Sequence, residues 1–266
     1  MLFTLTTSIP SSVDIWSNEG MIPHSDSNLT YGVFPNILDH YDSPSQIKFF
    51  IVILSILSIF FTLGYARQLA SILLWYGWAC LLNRNNLTLN PSIPYIGWLL
   101  LANCFIPPGE TLSITKTRAD WELPKLLLVG AWIIFVLGYF FSGIDKLRSA
   151  SWIEGTALKQ IMECPLGNRW DGIIGIIPDS IFQLLNWLII IAELLCLPFA
   201  VFKTTRKWAW MLATFIQLGI FLSLNIYPIF FGMLTIHLFL YNREWFPRSF
   251  IHFKKIKRIQ VIPGNG

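Results

Sequence analysis

The sequence predicts an all-α fold, a polytopic transmembrane helical bundle with about seven spanning helices. Three observations lead there: the apolar composition, seven long apolar runs, and a wealth of aromatic residues beside a scarcity of charge. Of 266 residues, 54% are hydrophobic and 13% charged, and the mean hydropathy is +0.57. A soluble domain carries about 25% charged residues. Half of that leaves too little polar surface to coat a water-soluble particle. The 12 Trp and 21 Phe suit a chain whose aromatics anchor helices at the headgroup level.

A spanning helix needs roughly 20 mostly apolar residues. The runs that approach this are Ile47–Leu63, Ala66–Leu82, Ile93–Ile106, Leu123–Phe141, Ile181–Phe202, Trp208–Leu224 and Tyr227–Leu240. The third and seventh are short and call for tilt or interfacial ends. Pro198 and Pro228 are expected to kink or break their helices, which bundles tolerate when neighbours satisfy the freed carbonyls. The domain plan has three parts: a polar N-terminal segment at the membrane surface (1–46), the transmembrane domain (47–241) and a basic cytoplasmic tail (242–266). The first segment either rests on the membrane or follows an upstream helix.

Lys and Arg in alternate loops set the orientation. Of the 19, 13 fall on one side: Arg67, Lys116, Arg118, Lys125, Lys203, Arg206, Lys207 and the C-terminal tail. The other 6 are Lys48, Arg84, Lys146, Arg148, Lys159 and Arg169. This predicts a cytoplasmic C-terminus and a non-cytoplasmic loop over Ser142–Ile177. Membrane lipid is the expected partner of the basic tail. A net charge of +4 spread this way does not call for nucleic acid.

Cys80, Cys104, Cys164 and Cys196 form no CxxC pair and read as small buried hydrophobes, so no metal is expected. The sequence lacks GxSxG, HExxH, a Walker loop and a dinucleotide fingerprint. Asn28-Leu-Thr and Asn86-Leu-Thr match the short glycosylation sequon.

The remaining polar residues need explaining. Lys146 follows the apolar run Leu123–Phe141 by about one turn, flanked by Asp145 and Arg148, with Trp152, Glu154 and Gly155 beyond. One reading is a helix end whose charges snorkel to the interface with Trp152 as anchor. The other is a lysine at the mouth of a cavity, where desolvation favours the neutral amine and lets it act as a base. Glu193 sits inside LLNWLIIIAELLCLPFAVF, and an ionisable group there faces the bundle interior or a wet cavity. His237 in FFGMLTIHLFLY is similar. Asn103, Asn186, Gln217 and Asn225 suit interhelical hydrogen bonds, and Gly138, Gly143 and Gly219 close helix approach. Asn90 suits a cap for the third helix.

The run YFFSGIDKLRSASWIEGTAL resembles the signature segment of the vitamin K-dependent gamma-carboxylase membrane domain, within the wider HTTM (horizontally transferred transmembrane) group. SNEGMIP resembles that family's early loop, FTLGYARQLASILLWYGWACLLNRN its second helix pair, and NIYPIFFGML and REWFPRSF its late helix and exit. The resemblance runs from about Ser12 to Phe250. It implies that Lys146 is the base toward a reduced quinone, with reduced vitamin K or menaquinol as cofactor and a peptide or protein as substrate. It places Asp145, Trp152, Glu154, Asn90 and Asn225 in the pocket. Glu193 and His237 join them on their intramembrane placement. Two departures stand out. Pro91 occupies the position of a family histidine, and Asp145 that of a second lysine. No counterpart of the carboxylase's soluble propeptide-binding part is expected, nor of its first membrane helix. The alternatives are a non-catalytic membrane accessory for maturation or export of a partner protein, and a transporter using Glu193 and His237.

Overall fold

The computed structural model describes residues 2–107, 114, 123–167 and 171–245. Among them every regular element is helical. The α-helices are α1 (Leu2–Ser8), α2 (Ser12–Trp16), α3 (Pro44–Thr62), α4 (Arg67–Arg84), α5 (Ser92–Asn103), α6 (Lys125–Arg148), α7 (Ala150–Ile153), α8 (Ala157–Glu163), α9 (Asp171–Ile174), α10 (Asp179–Val201), α11 (Arg206–Ser223) and α12 (Tyr227–Leu240). All seven apolar runs are therefore helices.

Three of them, α3, α6 and α10, are long and apolar enough to cross a membrane. The 12 residues of α5 and 14 of α12 reach about 18 and 21 Å, short of a hydrocarbon core of about 30 Å. The 18 residues of α4 and of α11 have nearly the length but carry Arg67, Gln68 and Arg84, or Arg206 and Lys207. Between Phe49 and Phe60 the exposed positions of α3 are all apolar: Phe49, Val52, Ile53, Ile56, Ile59 and Phe60 face outward. An apolar outer face of that length belongs against lipid.

Helix boundaries follow local chemistry. Pro44 opens α3, where its missing N–H costs nothing, and Gln46 Oε1 accepts from the Ser43 backbone N–H at 3.1 Å. Pro228 does not break α12; it lies in the first turn. Pro198 lies inside α10, which continues to Val201. The expected Ser142–Ile177 loop is partly helix, because α6 runs on to Arg148 and α7–α9 follow.

Two apolar cores share α5. One joins Tyr95 of α5 to Phe135 of α6, Cys196 of α10, Ala213 of α11 and Ile236 of α12. The other joins Ile96 and Leu100 of α5 to Ile47 and Ile51 of α3, and to Leu74 and Cys80 of α4. α6 packs along α10, α10 along α11, and α12 against α5.

The N-terminal segment packs on α3 and α4. Its anchor is Arg84, whose side chain is wholly buried. Arg84 Nη1 donates to the Ile22 carbonyl at 2.8 Å, and Nη2 to the Pro23 carbonyl at 3.2 Å and to Asp42 Oδ2 at 3.3 Å. Asn85 Nδ2 donates to the Ile15 carbonyl and Asn36 Nδ2 to the Cys80 carbonyl. The sequon amides are engaged as well: Asn28 Nδ2 donates to the Arg84 carbonyl and Asn86 Nδ2 to the Leu82 carbonyl. The predicted basic tail lies outside the described residues from position 246 onward, as do Lys116, Arg118 and Arg169.

Candidate functional site

The last two turns of α6 place Ser142 and Lys146 four residues apart, on one helix face. Lys146 Nζ donates to Ser142 Oγ at 2.7 Å. It also meets both carboxylate oxygens of Glu193 on α10, at 2.9 and 2.8 Å. Gly143 allows this approach: a Cβ there would stand 3.2 Å from Glu193 Cβ and 3.1 Å from Leu194 Cδ2. Gly219 plays no such part, since nothing lies within 4 Å of a Cβ built on it.

Trp152 covers the pair, with Lys146 Nζ 5.0 Å from its ring centroid, a cation–π contact. The α7–α8 turn holds Trp152 in place. Gly155 adopts φ +82° there, a conformation that favours glycine, and its carbonyl accepts from Asn186 Nδ2 at 2.8 Å. Asn186 thus joins α10 to the turn, as expected of interhelical glue.

The pair forms part of the wall of a cavity of about 650 Å³ between α5, α6, α10, α11 and α12. Tyr95, Ile134, Trp152, Ile216, Ile220 and Met233 supply apolar wall, and Asp145, Tyr139 and Gln217 add polar groups. Side-chain exposure is 18% for Lys146 and 5% for Glu193. The lysine is the member nearer to solvent.

Behind the wall, a chain of hydrogen bonds ends at His237. Thr214 Oγ1 donates to the Trp210 carbonyl at 2.7 Å and lies 3.1 Å from His237 Nδ1. With the threonine proton committed, Nδ1 is the donor and Nε2 the acceptor. Tyr139 O–H, 2.9 Å away, then donates to Nε2. Gln217 Nε2 donates in turn to the Tyr139 oxygen at 2.8 Å. Its Oε1 is shielded from solvent and has no partner among the described residues.

The residues expected at the site divide. Lys146, Glu193, Asp145 and Trp152 come together. Asp145 is largely exposed and pairs with Arg148 at 3.7 Å. His237 is not among the cavity's lining residues and bonds to one of them, Tyr139. Glu154 is exposed at the end of α7 and is not among the cavity's lining residues. Asn90 lines a separate cavity of about 190 Å³ with Trp16 and Trp78. Its Oδ1 accepts from Ser92 N at 3.0 Å, just outside the start of α5, so its local role is to shape that helix entry. Asn225, between α11 and α12, donates its backbone N–H to the Leu166 carbonyl at 2.6 Å and also lies away from the Lys146 cavity. Pro91 lines the cavity. Sequence reasoning missed Ser142 and Tyr139. A serine four residues before Lys146 was a usable signal; Tyr139 had none that set it apart from an interfacial aromatic.

Comparison with family models, curated proteins and solved structures finds no match to this chain.

Proposed function

We propose that the chain spans the membrane with its seven apolar helices and works as a quinol-linked enzyme on an HTTM-like scaffold. The active site is the Lys146–Glu193 cavity, open to the non-cytoplasmic side. One observation carries this reading: a lysine held by both oxygens of a buried carboxylate, in the wall of an apolar cavity large enough for a ring system. Burying such a pair is costly, and an ionisable group at membrane depth points to a functional site.

The lining residues fit a reduced quinone. Tyr95, Trp152, Ile216 and Met233 offer faces to a flat ring. A reduced quinone, when bound, supplies electrons for reaction with oxygen. Glu193 takes a proton from the Lys146 ammonium, and the neutral amine so formed accepts the proton of a ring hydroxyl, leaving Lys146 as ammonium and Glu193 as carboxylic acid. Ser142 and Trp152 hold Nζ in place. The substrate class is a peptide or protein bearing an acidic C–H, as the family resemblance implies.

The test is oxygen-dependent epoxidation of reduced vitamin K and of menaquinol by purified protein, wild type against Lys146→Met. Turnover that needs Lys146 supports the reading; equal turnover in both, or none in either folded protein, removes it. Pro91 at the cavity wall favours a second reading, a non-catalytic accessory for maturation or export of a partner protein. Proline has neither a side-chain proton to transfer nor a backbone N–H to donate. A partner that co-purifies regardless of Lys146 would support it.

A further inference from the structure

Another cavity, of about 700 Å³, lies where α10 ends and α11 begins, beside the end of α12 and the first turns of α6. It is roughly 20 Å from the Lys146 site along α6, taking the 14 residues from Trp132 to Lys146 at 1.5 Å each. Four cations line it: Lys203, Arg206, Lys207 and Arg243. None is ion-paired among the described residues. The carboxylate on this wall is Glu244.

Arg206 is set in place by its own Nε, which donates to the Ala200 carbonyl at 2.9 Å, while its guanidinium lies 5.6 Å from the Trp132 ring centroid. The N-terminus of α11 adds its positive dipole end to the same place. Trp245 closes the basin against Trp132, with ring centroids 6.2 Å apart.

Leu123, Leu128, Phe239 and Leu240 give the same space an apolar wall, with Thr204 and Asn242 among its uncharged polar members. Val201 and Phe202, just before Lys203, are exposed. Unpaired cations on one side and aliphatic wall on the other match an amphiphile whose head is anionic. A free anion would use only the first half of this surface.

We propose that the basin binds the phosphate headgroup of an anionic lipid. Lys203, Arg206, Lys207 and Arg243 surround the phosphate, and the apolar wall takes the glycerol and upper acyl chains. Basic pockets between membrane helices bind headgroups in this way. The site rests on the chain's membrane placement and is independent of any chemistry at Lys146.

Native mass spectrometry of the full chain in detergent tests it, with phosphatidylglycerol, phosphatidylcholine of the same chains, and glycerol 3-phosphate as probes. Phosphatidylglycerol is expected to bind at least about tenfold more tightly than the other two. Each cation removed should weaken it roughly fivefold, so Lys203→Gln/Lys207→Gln/Arg243→Gln should lose about a hundredfold. Lys48→Gln/Arg148→Gln/Lys159→Gln, with the same charge removed elsewhere, should lose nothing. Glu244→Gln should tighten binding, a gain that misfolding does not produce. Equal binding of phosphatidylcholine, or equal loss in both triple variants, would overturn the site. Glycerol 3-phosphate binding as tightly as the lipid would overturn the lipid and assign a free phosphate compound instead.

Discussion

Arg84 and Lys146 are both cations held inside the molecule, and they are held in opposite ways. Arg84 is wholly buried and bonds chiefly to backbone carbonyls of the docked N-terminal segment, with Asp42 as a longer third partner. A guanidinium gives up no proton at any ordinary pH and its two main-chain carbonyl acceptors take none up, so Arg84 serves to hold. Lys146 bonds to side chains alone, a hydroxyl and a carboxylate, and borders open space. Its partners can exchange a proton, and its neighbourhood can admit a ligand. What distinguishes the two here is the share of main-chain acceptors and the presence of a cavity, since both cations are largely buried.

The sharpest way to break this contrast is Arg84→Met. It leaves the Ile22 and Pro23 carbonyls and the Asp42 carboxylate without their donor. Removing one partner of a buried pair costs about 3–5 kcal/mol. The melting temperature in detergent should fall steeply, while any quinol binding by protein that still folds stays intact. An unchanged melt would show that Arg84 is no staple.

Gly155→Ala is expected to cost somewhat less. The left-handed backbone adds about 1–2 kcal/mol, and the new Cβ would lie 2.7 Å from Gln183 Cα, so overpacking adds about 1–3 kcal/mol. Because that turn carries Trp152, the variant should also weaken ligand binding at the Lys146 cavity. Loss of stability with unaltered binding would separate the cover from the clasp.

Lys146→Met should cost about 1–3 kcal/mol, the penalty of a buried acceptor left without its partner. Replacing both members, Lys146→Met/Glu193→Met, should recover most of that, since a buried pair exchanged for apolar side chains is often neutral. Activity should not return. Full stability of the single variant would mean that the carboxylate is already solvated without its lysine.

The smallest effect belongs to Lys159→Met. The hydrogen bond to exposed Asp179, 2.7 Å away, and its charge push the Lys159 ammonium above its usual 10.5. A lysine raised on folding stabilises below its unfolded pKa and loses that contribution as pH climbs through the folded one. The wild type should therefore lose a small increment of stability only above about 10.5, and the variant should lack that alkaline step. At neutral pH the variant should melt slightly below the wild type, and the difference should vanish once the pH has passed the folded pKa.

The sequence made the helices legible because a run of apolar residues is a local property. Glu193 was legible for the same reason, as a lone carboxylate in such a run. Its pairing with Lys146 was not, because 47 residues separate them and only the packing of α6 on α10 brings them together. Arg84 looked like an ordinary loop cation: its main acceptors are main-chain carbonyls of Ile22 and Pro23, groups that every residue carries. Asn90 was assigned to the Lys146 pocket by its place in a resembling segment, yet Asn90 lines one cavity and the adjoining Pro91 lines another. One residue of chain separates two rooms. Gln217 was expected to be glue, and does bond Tyr139 across helices; its unpartnered oxygen follows from a proton count that begins at Thr214.

The bonds from Arg84 to Ile22 and Pro23 have a consequence for biogenesis. Those two residues are 62 and 61 positions nearer the N-terminus, so they leave the ribosome first. By the time the guanidinium emerges at the end of α4, every acceptor it will use has already been made. The nascent chain carries no later debt for this charge, and its capture can begin as soon as α4 takes its place.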